Sequence, residues 1–141
     1  MNREQHAAAR AVIEGAVLLC EGNFIEHNRK LSRGFVCCAL AELAIGAGHR
    51  PDEVRAVRWD SVDYTVDLPK LAERYGLDGK GCKAIVEAND NPDAVIGWTA
   101  FPRTGRDEVD WPRARKVAVL QTLDELAGVV PAGADAAAGG H

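Results

Sequence analysis

Apolar residues recur at helical spacing along most of this chain, and one short stretch is apolar on nearly every side. Val36, Ala39, Leu40, Leu43, Ala44 and Ala47 fall at i, i+3, i+4, i+7, i+8 and i+11 and form one face. Cys38, Ala41 and Ile45 occupy the opposite side, and Glu42 is the single charge between Phe35 and Gly48. This pattern predicts a buried central helix over about 35–47 and not an amphipathic surface helix. Arg33 bounds the stretch on one side, and Gly46, Gly48, His49 and Arg50 on the other, which is too short for the roughly 20 residues of a membrane span.

The flanking segments read as helices packed around it. Asn2 followed by Gln5 matches a capping box, and Ala9, Val12, Ile13, Ala16, Val17 and Cys20 then repeat at helical spacing up to a stop at Gly22. Residues 23–34 are polar and broken, a connecting loop anchored by Phe24 and Ile25. Pro51, Asp52 and Glu53 start a short helix running to about Arg58, and Trp59 to Val66 alternates as a brief extended piece. Asp67 caps a helix bearing Leu68, Leu71, Ala72 and Tyr75 that stops at Gly76. Gly81 to Asn89 forms the next helix, with Leu77-Asp78-Gly79 as the turn before it and Asn89-Asp90-Asn91-Pro92 as the break after it. Residues 94–101 divide between a helical turn and an extended half, with Trp98 and Phe101 in the core. Asp110 caps a last helix from Trp111 to about Ala127, whose apolar face is Val119, Leu120, Leu123, Leu126 and Ala127.

Together these elements predict an all-α fold: one compact bundle of five or six helices around the central one, with a minor extended segment near Trp59 or Trp98. Residues 1–127 are expected to be a single helical domain. Residues 128–141 have too few apolar side chains to offset ordering entropy and are expected to form a mobile tail.

Composition narrows the function classes. At 141 residues and 47% hydrophobic content the chain can bury a core without a disulfide or a structural metal. A net charge of −4 argues against electrostatic nucleic-acid binding as the main task, because phosphate neutralisation needs a basic face. The charged N-terminal residues, with no small-residue cleavage site after an apolar run, lead to the expectation of a cytoplasmic protein with no membrane partner. In a reducing compartment Cys20, Cys37, Cys38 and Cys82 are free thiols that behave as small hydrophobes.

Several groups have chemistry to weigh. A thiol at a helix N-terminus gains thiolate character, so Cys37 or Cys38 is a candidate nucleophile, with His27 as the histidine geometrically able to serve as its base. The other reading makes both cysteines core residues. No C-x-x-C or H-x-x-x-H pairing supports zinc, so no metal and no cofactor is expected. Leu77 to Lys83 holds two glycines and two lysines at a helix start but lacks the spaced-glycine phosphate loop, and reads as a plain turn. Asn89 and Asp90 serve either as a double cap or as polar ligands facing a pocket. Arg103, Arg106, Arg113, Arg115 and Lys116 make a basic run near Trp98, Phe101 and Trp111, interrupted by Asp107, Glu108 and Asp110.

The order of segments adds a resemblance. A first helix ending in Cys20-Glu21-Gly22-Asn23-Phe24, then Val36-Cys37-Cys38-Ala39-Leu40-Ala41-Glu42-Leu43 with Ala47-Gly48, then Val86-Glu87-Ala88-Asn89-Asp90 and a closing leucine-rich helix resembles an uncharacterised family of small helical proteins. That family, a domain of unknown function, occurs in actinobacteria and their phages and looks like a helix, a C-A-L-G-A-L helix, a W-N-D turn and a final helix. Cys38, Ala39, Leu40, Leu43, Asn89 and Asp90 fall on its pattern. Ala41 stands for its glycine, Glu42 for its second alanine and Ala88 for its tryptophan, and residues from about 93 to 108 are an insertion. The resemblance implies a helical fold and a bacteriophage or actinobacterial setting, and brings no activity with it.

No complete catalytic constellation is present. The sequence therefore favours an accessory protein acting by binding, foremost to another protein, through a surface containing Arg103, Arg106 and Arg115. The alternative is a small-molecule binder or cysteine-dependent enzyme with a pocket at Cys38, Asn89, Asp90 and His27.

Overall fold

The computed structural model describes residues 1–21, 26–51 and 69–129. Within them the protein is all-α. Five α-helices pack together, accompanied by one antiparallel pair of two-residue strands. In chain order they are α1 (Arg3–Gly15), β1 (Glu26–His27), β2 (Phe35–Val36), α2 (Ala39–Gly46), α3 (Pro69–Tyr75), α4 (Gly79–Asp90) and α5 (Trp111–Leu126), with 3-10 turns at Pro92–Ala94 and Trp98–Ala100. None of the described helices is long and apolar enough to cross a membrane.

The capping box that opens α1 is formed. Asn2 Oδ1 accepts from the Gln5 N–H at 2.8 Å, and Gln5 Oε1 accepts from the Asn2 N–H at 2.9 Å. The helix ends at Gly15, not at the expected Gly22. Beyond it the chain extends, Leu19 forms a parallel bridge with Cys37, and the Cys20 N–H donates to the Cys37 carbonyl at 3.2 Å. Of the expected apolar positions here Ala16 and Cys20 are buried, but Val17 is exposed, and Leu19, off that face, is buried in its stead.

The central helix is shorter than expected at its start. Phe35 and Val36 pair with His27 and Glu26 as β2, and helical geometry begins at Ala39. From there to Ala44 every residue is buried, Glu42 included, as the all-round apolar pattern predicted. Around this helix lie α1, α3 and α4, and α5 runs along α1 and α4. Polar ties also cross the bundle. Tyr75 Oη donates to the Leu43 carbonyl at 2.8 Å, and Asp124 on α5 accepts from Arg10 Nη1 at 2.8 Å while its same oxygen lies 2.7 Å from His6 Nε2.

Helix α4 starts at Gly79, earlier than the sequence placed it, because Asp78 Oδ1 captures the Gly81 N–H at 2.7 Å. Helix α5 is capped as expected, with Asp110 Oδ1 3.3 Å from the Arg113 N–H and Pro112 in the first turn. Its buried stripe is Ala114, Ala118, Val119, Thr122 and Leu123, while Leu126, expected on the apolar face, is partly exposed. The extended half expected around Trp98 is a 3-10 turn instead, Trp98–Ala100. The expected anchors Phe24 and Ile25, all but Pro51 of the short helix expected to run to about Arg58, the extended piece near Trp59, the Asp67 cap and residues 130–141 of the expected tail lie outside the described residues.

Candidate functional site

The residues singled out in the sequence separate into a buried set and a surface set. Cys38 caps α2 through its backbone alone and is 1% exposed, so the helix needs another group to satisfy its first N–H. Asn89 supplies it. Its Oδ1 accepts from the Ala39 N–H at 3.0 Å, and its Nδ2 donates to the Cys20 carbonyl and to Asp90 Oδ1, each at 3.0 Å. Cys38 and Asn89 are therefore brought together, in a buried junction where α4, α2 and the segment after α1 meet. The amide is bonded at both ends, which is how a buried polar side chain avoids a desolvation penalty.

Burial opposes thiolate formation at both cysteines of this junction. Burial pushes Cys38 up to about 12. Burial first, and then the Glu42 carboxylate beside it, push Cys37 well above the ordinary thiol range. The helix N-terminus, the expected source of thiolate character, is outweighed by desolvation at both residues. His27 lies in β1 opposite Phe35. Beside the cysteines, Arg33 Nη1 and Nη2 grip Glu42 Oε1 and Oε2 at 2.8 and 2.9 Å, and its guanidinium lies 4.3 Å from the Phe35 ring centroid. That fork is how the central helix carries its one charge inside.

Of Cys38, Asn89 and Asp90, Asp90 is the one that reaches the surface. With Glu21, Asn91, Asp93, Trp98, Trp111 and Arg115 it lines an open groove of about 360 Å³. Arg115, from the expected interaction surface, thus shares a site with Asp90 from the expected ligand pocket. Its Nη1 donates to the Leu19 carbonyl at 3.1 Å, which holds it against the groove wall. Arg103 and Arg106 are exposed on the loop between Trp98 and Trp111. That loop is ordered by its own hydrogen bonds. Arg103 bridges Val109, the Thr104 N–H donates to the Glu108 carbonyl at 2.8 Å, and Thr104 Oγ1 accepts from the N–H groups of Arg106 and Glu108. Asp107 takes a left-handed φ of 61° at the turn.

The expectation that Trp98 is a core residue does not hold. Phe101 is buried with Ile96 and Ala114 in a small satellite core, whereas Trp98 is 52% exposed and Trp111 40% exposed. The rings form one cluster. Trp98 stacks on Phe101 at 4.6 Å between centroids with 26° between planes, and Trp111 meets both edge-on at 5.9 and 5.7 Å. The short 3-10 turn puts Trp98 over Phe101 instead of beneath it. The sequence signal was three aromatic residues within the arginine-bearing segment; that two of them face a groove with Glu21 and Asp93 depends on tertiary placement.

Among the described residues no group of three or more His, Cys, Asp or Glu side chains converges as a metal site would require. Comparison of the chain with protein-family models, with curated proteins and with solved structures found no match in any of the three.

Proposed function

We propose that this chain is an accessory protein that acts by binding another protein, and that the partner sits over Trp98 and Trp111 and the arginine loop joining them. The observation that carries the reading is the exposure of two tryptophans that are nonetheless held rigid by packing on Phe101 and on each other. Rings held this way offer a large apolar area at small entropic cost, the property of residues that dominate protein interfaces. Arg103 and Arg106 stand on a loop whose backbone is already ordered, so a partner need not freeze it.

The resemblance noted in the sequence supplies the setting for this reading: an actinobacterium or its bacteriophage, and therefore the lysate in which a partner is to be sought. The alternative, a small-molecule binder or cysteine-dependent enzyme at Cys38, Asn89 and Asp90, has support only at Asp90, the one of those three side chains that lines a groove. Quantitative affinity capture from actinobacterial lysate, infected and uninfected, with the wild-type chain, Trp98→Ala and the Arg103→Ala/Arg106→Ala pair, tests the proposal. The expected result is a protein retained by the wild type and depleted with both variants, each of which keeps its helical circular dichroism. Identical capture by all three would remove this surface from the account.

A further inference from the structure

Two of the buried thiols are set side by side by the backbone. Leu19 and Cys37 are partners in a parallel bridge, and the Cys20 N–H donates to the Cys37 carbonyl at 3.2 Å. Cys20 follows Leu19 and Cys38 follows Cys37, so they are the next pair across the same two segments. Cys38 keeps the extended conformation that continues the pairing, with φ −72° and ψ 171°. Side chains alternate faces along extended backbone, and partners across a bridge share a face. Cys20 and Cys38 therefore point to one side, and Leu19 and Cys37 to the other. Their surroundings agree: Cys38 interacts electrostatically with Cys20 and with Asp90 at the end of α4, whereas Cys37 does so with Glu42 and Arg33. Asn89 clamps both segments from α4, through the Cys20 carbonyl and through the Ala39 N–H next to Cys38. Adjacent strands lie about 4.8 Å apart, inside the roughly 4.4–6.8 Å that separates the Cα atoms of bonded cysteines.

We infer that Cys20 and Cys38 are a redox pair, closed to a reversible disulfide by a low-molecular-weight disulfide such as oxidised glutathione. This goes beyond the protein-binding reading and does not rest on it. Cys20, 6% exposed against 1% for Cys38, is the more accessible of the two. Its thiol loses a proton and the thiolate attacks one sulfur of the small disulfide, whose S–S bond breaks as a mixed disulfide forms and one small thiol leaves. Cys38, on losing its own proton, attacks the Cys20 sulfur, forming the Cys20–Cys38 bond and releasing the second small thiol. Two protein thiols are thus oxidised by two electrons, and one small disulfide is reduced to two thiols that carry the two protons. Burial pushes Cys38 up to about 12 in the closed junction, so the exchange waits on local opening and is slow. Once formed, the bond closes the loop that carries β1 and β2 and stabilises the folded chain chiefly by restricting the unfolded one.

Equilibration of the full chain in glutathione buffers of graded ratio, followed by acid quenching, alkylation under denaturing conditions and peptide mass mapping, tests this. The expected result is a monomer lighter by two hydrogens, a cross-linked peptide joining Cys20 to Cys38, full reversal by dithiothreitol, and an unfolding midpoint at higher urea in the oxidised form. Cys82→Ser should form the same bond. Cys20→Ser and Cys38→Ser should each stop at a mixed disulfide between glutathione and the remaining partner. Because the bond is mapped in the wild type, a folding defect in either of these variants does not remove the test. A chain that stays reduced in the most oxidising buffer would overturn the inference, as would a cross-link to Cys37 or Cys82 in place of this pair. A Cys20–Cys38 bond that forms only in urea would overturn it too, since that bond would belong to the unfolded chain.

Discussion

Single residues at the buried junction carry more structural responsibility than their types suggest. Asn89 joins α4 to the first N–H of α2 and to the Cys20 carbonyl. Replacing it by alanine takes away the side-chain partner of the buried Ala39 N–H and one bond to the Cys20 carbonyl, at roughly 1–3 kcal/mol for each group left unsatisfied. Asn89→Ala is therefore expected to lose about 3 kcal/mol in urea unfolding, and a loss below about 0.5 kcal/mol would show that these bonds do not hold the junction together. The cysteines give a second residue-scale expectation. An unfolded thiol titrates at about 8.5, while burial holds Cys38 and Cys82 up near about 12. Above the unfolded value the unfolded chain binds fewer protons than the native one, so stability falls as pH rises. The contribution of these thiols is fully present below about pH 8.5 and is lost between there and about pH 12. The unfolding midpoint should accordingly drop more steeply between these limits in the wild type than in Cys38→Ala/Cys82→Ala, and parallel curves would contradict it. Asn89 was legible in the sequence as one of two things, a cap or a ligand. In the structure its amide oxygen accepts from the Ala39 N–H, fifty positions away in the chain, a partner no local pattern specifies.

At the scale of elements, the helices meet closely enough that one glycine is dictated by its neighbours. A Cβ on Gly46 would stand 2.7 Å from Tyr75 Oη and 2.8 Å from Val12 Cγ2, where α1, α2 and α3 converge. Tyr75 cannot simply withdraw, because its hydroxyl is bonded to the Leu43 carbonyl inside the core. Gly46→Ala is thus expected to destabilise by about 1–3 kcal/mol despite alanine's better helix propensity; a thermal midpoint equal to or above the wild type would contradict that packing. Asp78→Ala, which removes the cap of α4, should cost about 1 kcal/mol and speed hydrogen exchange over the first turn of that helix. The existence and burial of α2 could be read from an apolar pattern on every side, but its first residue could not. Phe35, Val36, Cys37 and Cys38 suit a strand as well as a helix, and the pairing with Glu26 and His27 decides between them. The same ambiguity extended α1 too far. Ala16, Val17 and Cys20 continue its spacing, yet beyond Gly15 the chain is extended and Leu19 pairs with Cys37. The caps at Asn2 and Asp110 read well because their signal is local, each accepting from a backbone N–H three residues on, whereas Asp78, read only as part of a turn, caps α4 in the same way. Exposure of Trp98 read poorly, since it depends on what a three-residue turn stacks against.

For the whole molecule, the interior and the surface have different tasks. The groups with the most reactive chemistry, the thiols and Glu42, are buried, with Glu42 also gripped by Arg33. The aromatic surface and the exposed arginines stand together at the join between α4 and α5. A partner held there partly by exposed charge should be released as salt rises, because the screening length falls to about 3 Å at 1 M. The most direct measurement of the account is hydroxyl-radical footprinting of Trp98 and Trp111 with and without the captured partner. The account predicts that oxidation of both indoles falls sharply in the complex while Val17, exposed on the segment after α1, is modified as before. Unchanged oxidation of the two tryptophans, with protection appearing elsewhere on the chain, would contradict it.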